Sequence, residues 1–292
     1  MDDFQVNHHA LDRLIRRIDH VSTLPHVVTR VIEVAQSTHT SAADLARVIE
    51  TAPVLSVRLL KCVNSAAFGL SRRVTSIQHA ISYLGFKQVC NLAIGSAVSQ
   101  IFKNEEPQGT YTRRGLWQHL VSVAVISRMI AIRRSIDAFE DAFLAGLLHD
   151  IGIILEDQYM HAQFAEMMRR FPEDRTLIEA ERERFGFDHT HLGDRVAEAW
   201  RLPDFVRSVI RLHHEPEAAY DKQCGALLGC VQLADVLCTL KGISSIGVKR
   251  VRLAPAALEA LGLDREDMQV ITEDMAGELG QHRELLDIVE AV

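Results

Sequence analysis

The sequence has few cysteines, and none of them has a spacing that would give it a structural role. There are five, an odd number, and no two form a C-x-x-C pair. This argues against a disulfide framework and against a zinc ribbon, and it is typical of small core side chains in a reducing compartment. The N-terminus lacks the apolar segment of a secretory signal, because it begins with Met1, Asp2 and Asp3.

Long apolar runs are also absent. The longest, at 120–132, contains serine and arginine and is shorter than the roughly 20 residues that a membrane-spanning helix needs. We therefore expect a cytoplasmic protein with no membrane partner.

Positive charge is scarce relative to negative charge. The net charge is −7, and phosphate contacts require clustered cations, so a nucleic-acid partner is not expected. Short basic pairs are scattered along the chain, and we interpret them as solvated helix faces. These pairs are Arg72–Arg73, Arg113–Arg114, Arg133–Arg134, Arg169–Arg170 and Lys249–Arg250.

Strand signals are missing, whereas helical spacing is frequent. The sequence has no period-2 pattern and no Asn-Gly or Asp-Gly turn, which excludes an extensive sheet. Ser41 is a candidate N-cap, Pro53 a candidate helix start, and Gly69 and Gly85 candidate stops. The pattern predicts an all-α fold. Two clear helical stripes are Leu11, Leu14, Ile15, Ile18 and Ile77, Ala80, Ile81, Leu84.

One polar stretch divides the chain. Residues 103–115 read KNEEPQGTYTRRG, without apolar periodicity, and this predicts a linker. We expect an N-terminal helical subdomain at 1–108 and a larger helical bundle with a C-terminal helical extension at 109–292. Apolar segments of the second part lie at 116–132, 139–155, 192–200, 203–214 and 226–240, with a polar arm ending near Gly186.

Histidines and aspartates project from several apolar helix faces of the second part. Seven of the fourteen histidines lie between positions 119 and 214. Each candidate residue adjoins an apolar stripe, so in a bundle the side chains should converge. The set comprises His119, His149, Asp150, His189, His213, His214 and Asp235.

A buried set of this kind favours a metal. Each unsatisfied buried polar group costs roughly 1–3 kcal/mol, and a divalent cation satisfies several at once. Taken singly, His119 could be a hydrogen-bonded core residue, His213–His214 a helix C-terminus, and Asp235 a cap or an arginine partner. The adjacent pair His149–Asp150 after an apolar run is hard to explain by packing. His161 and His191 have weaker contexts, which indicate surface or supporting positions.

These motifs resemble a known family. The sequence GLLHDIG at 146–152, with His119 about thirty residues earlier, resembles the HD superfamily of metal-dependent phosphohydrolases. The HDOD domain (HD-related output domain) is the more specific resemblance, over about 20–240. Its motifs are LP at 24–25, LLKCVNSAAFG at 59–69, TSIQHAISYLG at 75–85, LWQHLVSVA at 116–124, FGFDHTHLGDRVAEAWRLP at 185–203 and IRLHHEP at 210–216.

The resemblance implies an N-terminal helical subdomain packed on an HD-type helical bundle. It also implies an output or adaptor module of bacterial signalling with a protein partner. The related HD-GYP proteins hydrolyse cyclic di-GMP and bind metal through positions that fall on the seven residues above. His119, His149, Asp150 and Asp235 would hold one ion, and His189, His213 and His214 a second. Iron, manganese, zinc, cobalt or nickel would suit one or two such sites.

Three departures from HD-GYP proteins separate metal binding from hydrolysis. Gly115 stands where some of them have a carboxylate, and Ile153 stands where a lysine usually follows HDIG. The residues 215–220 replace the GYP signature. We therefore expect a signalling module that retains a metal site, with a metal-dependent phosphodiesterase acting on a cyclic dinucleotide or another phosphoester as the alternative. No G-x-S-x-G, G-x-x-x-x-G-K-[ST] or G-x-G-x-x-G motif supports another chemistry.

Overall fold

The computed structural model describes residues 4–21, 26–37, 39–103, 107–171, 175–215, 225–247 and 255–286. These residues form helices and contain no strand; Gln108 and Tyr111 make one isolated bridge. The all-α prediction is confirmed. The helices are α1 (His8–Val21), α2 (His26–Gln36), α3 (Ala42–Glu50), α4 (Pro53–Val63), α5 (Ile77–Leu84), α6 (Phe86–Val98), α7 (Arg113–Arg133), α8 (Phe139–Leu148), α9 (Ile151–Tyr159), α10 (His161–Arg169), α11 (Leu177–Phe185), α12 (His189–Ala199), α13 (Asp204–Leu212), α14 (Gly225–Leu240), α15 (Pro255–Leu261), α16 (Arg265–Gln281) and α17 (Arg283–Leu286).

The helix boundaries follow local sequence signals. Ser41 caps α3 in a reciprocal box with Asp44, as its position before the helix indicates. Pro53 is the first residue of α4, where its missing N–H is harmless. Gly85 ends α5 with a φ of 89°, a conformation that glycine adopts without strain. Gly69, with a φ of 55°, follows a 3-10 helix at Ala66–Phe68.

Two segments differ from the sequence-based expectation. The apolar segment 139–155 is two helices, because Asp150 leaves helical geometry (φ −103°, ψ 19°) and α9 begins after it. The polar arm before Gly186 contains α10 and α11. A capping box of Thr176 with Glu179 starts α11, which shows that capping, and not apolar periodicity, marks this helix.

The expected linker is shorter and better anchored than the sequence indicates. Helix α7 already begins at Arg113, and the Thr112 side chain accepts a hydrogen bond at its N-terminus. Tyr111 is fully buried, and the Thr110 hydroxyl donates to the Ile246 carbonyl at 2.6 Å. The polar side chains thus tie this segment to the loop after α14. The division at residue 108 stays a prediction.

Helix α7 forms the centre of the C-terminal part. It packs on α8, α14 and α16, while α12 packs on both α9 and α13. By length and composition alone α7 could cross a membrane, but 78% of its most apolar window is buried inside the protein. Its apolar side chains therefore face other helices. Among the N-terminal helices, α2, α4 and α5 pack on α6, and α6 packs on α8.

Candidate metal centre

The seven predicted residues come together on the inner face of the bundle. They come from five helices that are not consecutive, because α9, α10 and α11 separate α8 from α12. His119 lies in α7, His149–Asp150 at the α8–α9 junction, His189 at the start of α12, His213–His214 at the end of α13 and Asp235 in α14.

Three of the histidines have one ring nitrogen fixed by a main-chain carbonyl. A carbonyl only accepts, so each Nδ1 carries the hydrogen, and the neutral ring presents the lone pair of Nε2 on its other side. This tautomer is the one that binds metal through Nε2. The Nδ1–oxygen distances are 2.9 Å for His119 to Ile243, 2.8 Å for His149 to Gly146 and 2.9 Å for His213 to Ile210.

Three imidazole Nε2 atoms of the centre make no hydrogen bond of normal geometry with any described residue. They belong to His119, His149 and His189, whose side chains are all fully buried. Leaving such an atom unsatisfied costs roughly 1–3 kcal/mol. Three such atoms in one place indicate that the fold keeps these nitrogens for a ligand.

Asp150 lies between two groups of histidines. Its Oδ1 is 3.0 Å from Nε2 of His213 and 3.3 Å from Nε2 of His189. Its Oδ2 is 3.4 Å from Nε2 of His149 and 3.8 Å from Nε2 of His119. One carboxylate therefore offers one oxygen to each group.

The two groups are each compact enough to hold an ion. Asp150, His189, His213 and His214 have one ligand atom each within 4.8 Å of one another, as do His119, His149 and Asp150. Asp235 adjoins the second group, with Oδ1 at 3.3 Å from Nε2 of His119. Nitrogen and carboxylate donors in this number suit divalent transition metals, so the residues fit the group that the sequence implies.

The electrostatics of the site indicate that it needs positive charge. Burial alone would raise the pKa of Asp150, but the neighbouring imidazoles, first His149, hold it well below its usual range. Burial opposes protonation of His149 and His189, yet nearby carboxylates outweigh it and raise the pKa of both. Without a cation, Nε2 lone pairs would face carboxylate oxygens, and only shared protons could relieve the repulsion. A metal replaces those protons, so its affinity falls as the pH falls.

The residues of the centre are buried or partly buried, with the exception of His214. His119, His149 and His189 are fully buried, whereas His214 is exposed. The His214 ring lies 4.1 Å from His213 and 5.1 Å from His189, centroid to centroid. Solvent therefore reaches the group that contains His214.

One buried glutamate, Glu181, supports His189, a second, Glu156, lies beside Glu181, and sequence reasoning missed both. Oε2 of Glu181 accepts hydrogen bonds from the main-chain N–H (3.0 Å) and from Nδ1 (2.7 Å) of His189. Glu156 is fully buried next to it, and burial together with Glu181 raises the pKa of Glu156 well above its usual range. Neither residue had a sequence signal, because Glu181 belongs to a run of charges and Glu156 follows an apolar stretch.

We expect Glu181→Gln to weaken metal binding by about 10–100-fold, the usual effect of losing a carboxylate behind a ligating histidine. The amide accepts a weaker hydrogen bond than the carboxylate and no longer makes His189 more basic. Titration with Zn²⁺ or Mn²⁺ and a competing chelator measures the change. Glu183→Gln, on the exposed side of the same helix, is the matched control and should bind like the wild type; equal affinities of the two variants would contradict the role of Glu181.

The remaining sequence-based expectations concern His161, His191, Ile153 and residues 215–220. His161 is half-exposed and pairs with Asp157 at 2.7 Å, and His191 contacts Asp188 at 2.7 Å. Neither belongs to the two groups of described residues that could hold a metal ion. Ile153 is fully buried in α9. Of the residues that replace the GYP signature, 216–220 lie outside the described part.

Comparisons of the sequence and of the structure with known proteins point to the same family. The HDOD domain family matches residues 21–216. An HDOD domain protein from Geobacter sulfurreducens has a similar structure, with a TM-score of 0.79, 26% identity, and coverage of 98% of this chain and 99% of that one. A candidate signal transduction protein from Marinobacter aquaeolei VT8 matches in fold, with a TM-score of 0.79 and 23% identity over 99% of this chain and 68% of that one.

A curated relative is longer than this chain. An uncharacterized protein of Treponema pallidum (strain Nichols) is 25% identical over 208 residues, which are 68% of this chain and 38% of that protein. The match thus spans about two fifths of the relative.

Proposed function

This chain belongs to the HDOD family, and we propose that it is a signal-transduction module whose bundle holds one or two divalent transition-metal ions and which acts through a protein partner. The observation that carries the metal proposal is Asp150 between two groups of histidines, with three buried Nε2 atoms left for a ligand. When bound, the ion satisfies these atoms and joins α7, α8, α12, α13 and α14. Its binding free energy thereby adds to the stability of the fold.

Metal-dependent phosphoester hydrolysis is the second candidate. A bound ion would polarise a phosphoryl oxygen and lower the pKa of a water molecule. The exposure of His214 favours this candidate, because a ligand of the proposed ion is then in reach of a small anionic ester. In that role Asp150 positions both groups of imidazoles, and His214 forms the solvent-facing edge.

The signalling role is favoured because this chain lacks the lysine that usually follows HDIG in HD-GYP proteins and could contact a phosphate. That position is Ile153, whose side chain is buried within α9 and makes no polar contact. Binding of an ester would then lack the cation that the resemblance places after HDIG.

We expect metal binding without turnover. The protein is loaded with Mn²⁺, and release of nitrophenolate from bis(p-nitrophenyl) phosphate is followed for the wild type and for His149→Ala/Asp150→Ala. Turnover in the wild type that the double variant abolishes would contradict the adaptor role and establish the hydrolase. Equal background rates in both would support the signalling module.

A further inference from the structure

A long part of the chain contains no acidic residue. Between positions 51 and 103 there is no aspartate or glutamate, although the whole chain has 39 of them and a net charge of −7. Arg72 and Arg73 therefore belong to a basic region. They are more than the scattered solvated pair that the sequence alone suggests. The region's six basic residues are Arg58, Lys61, Arg72, Arg73, Lys87 and Lys103.

The outer face of α4, which we define by Val54, Val57 and Lys61, combines this charge with exposed apolar side chains. Val54 is 66% exposed and Val57 68% exposed, and the spacing of three and four residues places all three on one side of the helix. Large exposed apolar groups that lie together on one face are typical of a contact surface.

Basic residues extend this face beyond the end of α4. The main-chain N–H of Val74 donates to the Asn64 side chain at 2.7 Å, which fixes the loop of Arg72 and Arg73 at the C-terminal end of the helix. Arg72 and Arg73 are exposed, and like Lys61 they make no ion pair with any residue that the structure describes. The charge of this face is therefore not neutralised by the part of the chain that the structure describes.

The outer face of α16, which we define by Glu266, Val270, Glu273, Gly277 and Gly280, has the opposite character. Val270 is 40% exposed, and neither glutamate has an ion pair within the described residues. A Cβ at either glycine would meet nothing within 4 Å. Glycine inside a helix costs about 1 kcal/mol relative to alanine, and two of them on one exposed face leave space for another helix to approach closely.

We propose that the outer face of α4 binds the outer face of α16 in a second copy of this chain. With the two helices antiparallel, Lys61 would face Glu273, and the arginines beyond it would face Glu266. Val54 and Val57 would pack against Gly280 and Gly277. Both faces are exposed in one chain, so they do not already cover each other. Since every copy carries both faces, the contact either closes into a two-fold dimer or continues head to tail. It is independent of the metal centre.

A second copy explains the observations better than a nucleic acid does. Phosphates would match the cations of α4, but they would leave Val54 and Val57 exposed to water. The acidic face of α16 offers charge and apolar contact together, and it also accounts for the exposed glycines.

Sedimentation of the full chain at micromolar to high-micromolar concentrations, in low and in high salt, tests the contact. We expect self-association that weakens with salt. Lys61→Glu and Glu273→Lys should each raise the dissociation constant by about tenfold or more, because each places like charges opposite one another. The double variant Lys61→Glu/Glu273→Lys should return to within about threefold of the wild type. Arg170→Glu, an equal change of charge at the exposed residue that follows α10, should have no effect.

Three results would overturn the contact. The first is a monomer at every concentration and salt. The second is an oligomer that neither single variant weakens, and the third is weakening by both without recovery in the double variant. Duplex DNA added to the monomer tests whether the outer face of α4 binds nucleic acid instead. If the chain does not self-associate and Lys61→Glu abolishes DNA binding, the basic face belongs to nucleic acid.

Discussion

Asp150→Asn is expected to reduce metal affinity in both groups at once, by more than about a hundredfold, because even a residue behind a ligand contributes about 10–100-fold. The Asp150 carboxylate lies within 3.0–3.8 Å of Nε2 atoms from four histidines. An amide has nearly the same shape but only one oxygen and no charge, so it cannot serve both groups. Metal content after reconstitution and removal of free ions measures the loss.

His119→Ala is the informative comparison for Asp150→Asn. It removes one ligand from the group of His119, His149 and Asp150 and leaves Asp150, His189, His213 and His214 in place. If the centre holds two ions, this variant should lose one and keep the other. Stoichiometric metal in Asp150→Asn would contradict the shared role of its carboxylate.

Gly152→Ala is expected to destabilise the protein by about 3 kcal/mol or more, at or beyond the upper end of overpacking effects. A Cβ at this position would lie 2.0 Å from the main-chain oxygen of His189. Backbone cannot move aside as a flexible side chain can, so α9 and α12 must separate. Because His189 begins α12, the same shift should weaken the metal centre. Urea unfolding followed by circular dichroism measures the stability.

Gly277→Ala provides the control for a methyl group added to a helix. It lies in α16, and a Cβ there would meet nothing within 4 Å. We expect it to stabilise the monomer by about 0.5–1 kcal/mol through the helix propensity of alanine. A Gly152→Ala variant as stable as the wild type would show that α9 and α12 are not held at this distance.

Much of the fold could be predicted because its signals are local. Apolar residues spaced three and four apart located α1 and α5, and Ser41 and Pro53 marked the starts of α3 and α4. The break between α8 and α9 had no such signal, because apolar residues continue across it. Helix α11 was missed because it has many charged residues and too few apolar ones to show a helical stripe. Only its capping box marks it.

The composition of the candidate centre followed from the sequence, but its supporting residues did not. His119, His149 and Asp150 adjoin apolar stripes, which predicts that they point inward together. Glu181 supports His189 through a contact between different helices, and no sequence spacing reports such a contact. The need for glycine at position 152, the last residue of HDIG, also comes from a contact between helices, because the main chain of His189 leaves no space for a Cβ there.

The metal content of the protein purified without chelator is the most direct test of the central claim that the seven residues form a metal centre. Wild-type protein and His149→Ala/Asp150→Ala are compared by elemental mass spectrometry, before and after reconstitution with Fe²⁺, Mn²⁺ and Zn²⁺. We expect about one to two equivalents in the wild type, a large loss in the double variant, and higher thermal stability with metal bound. Less than about a tenth of an equivalent in the reconstituted wild type would contradict the claim, because ligands prearranged in this way should bind tightly.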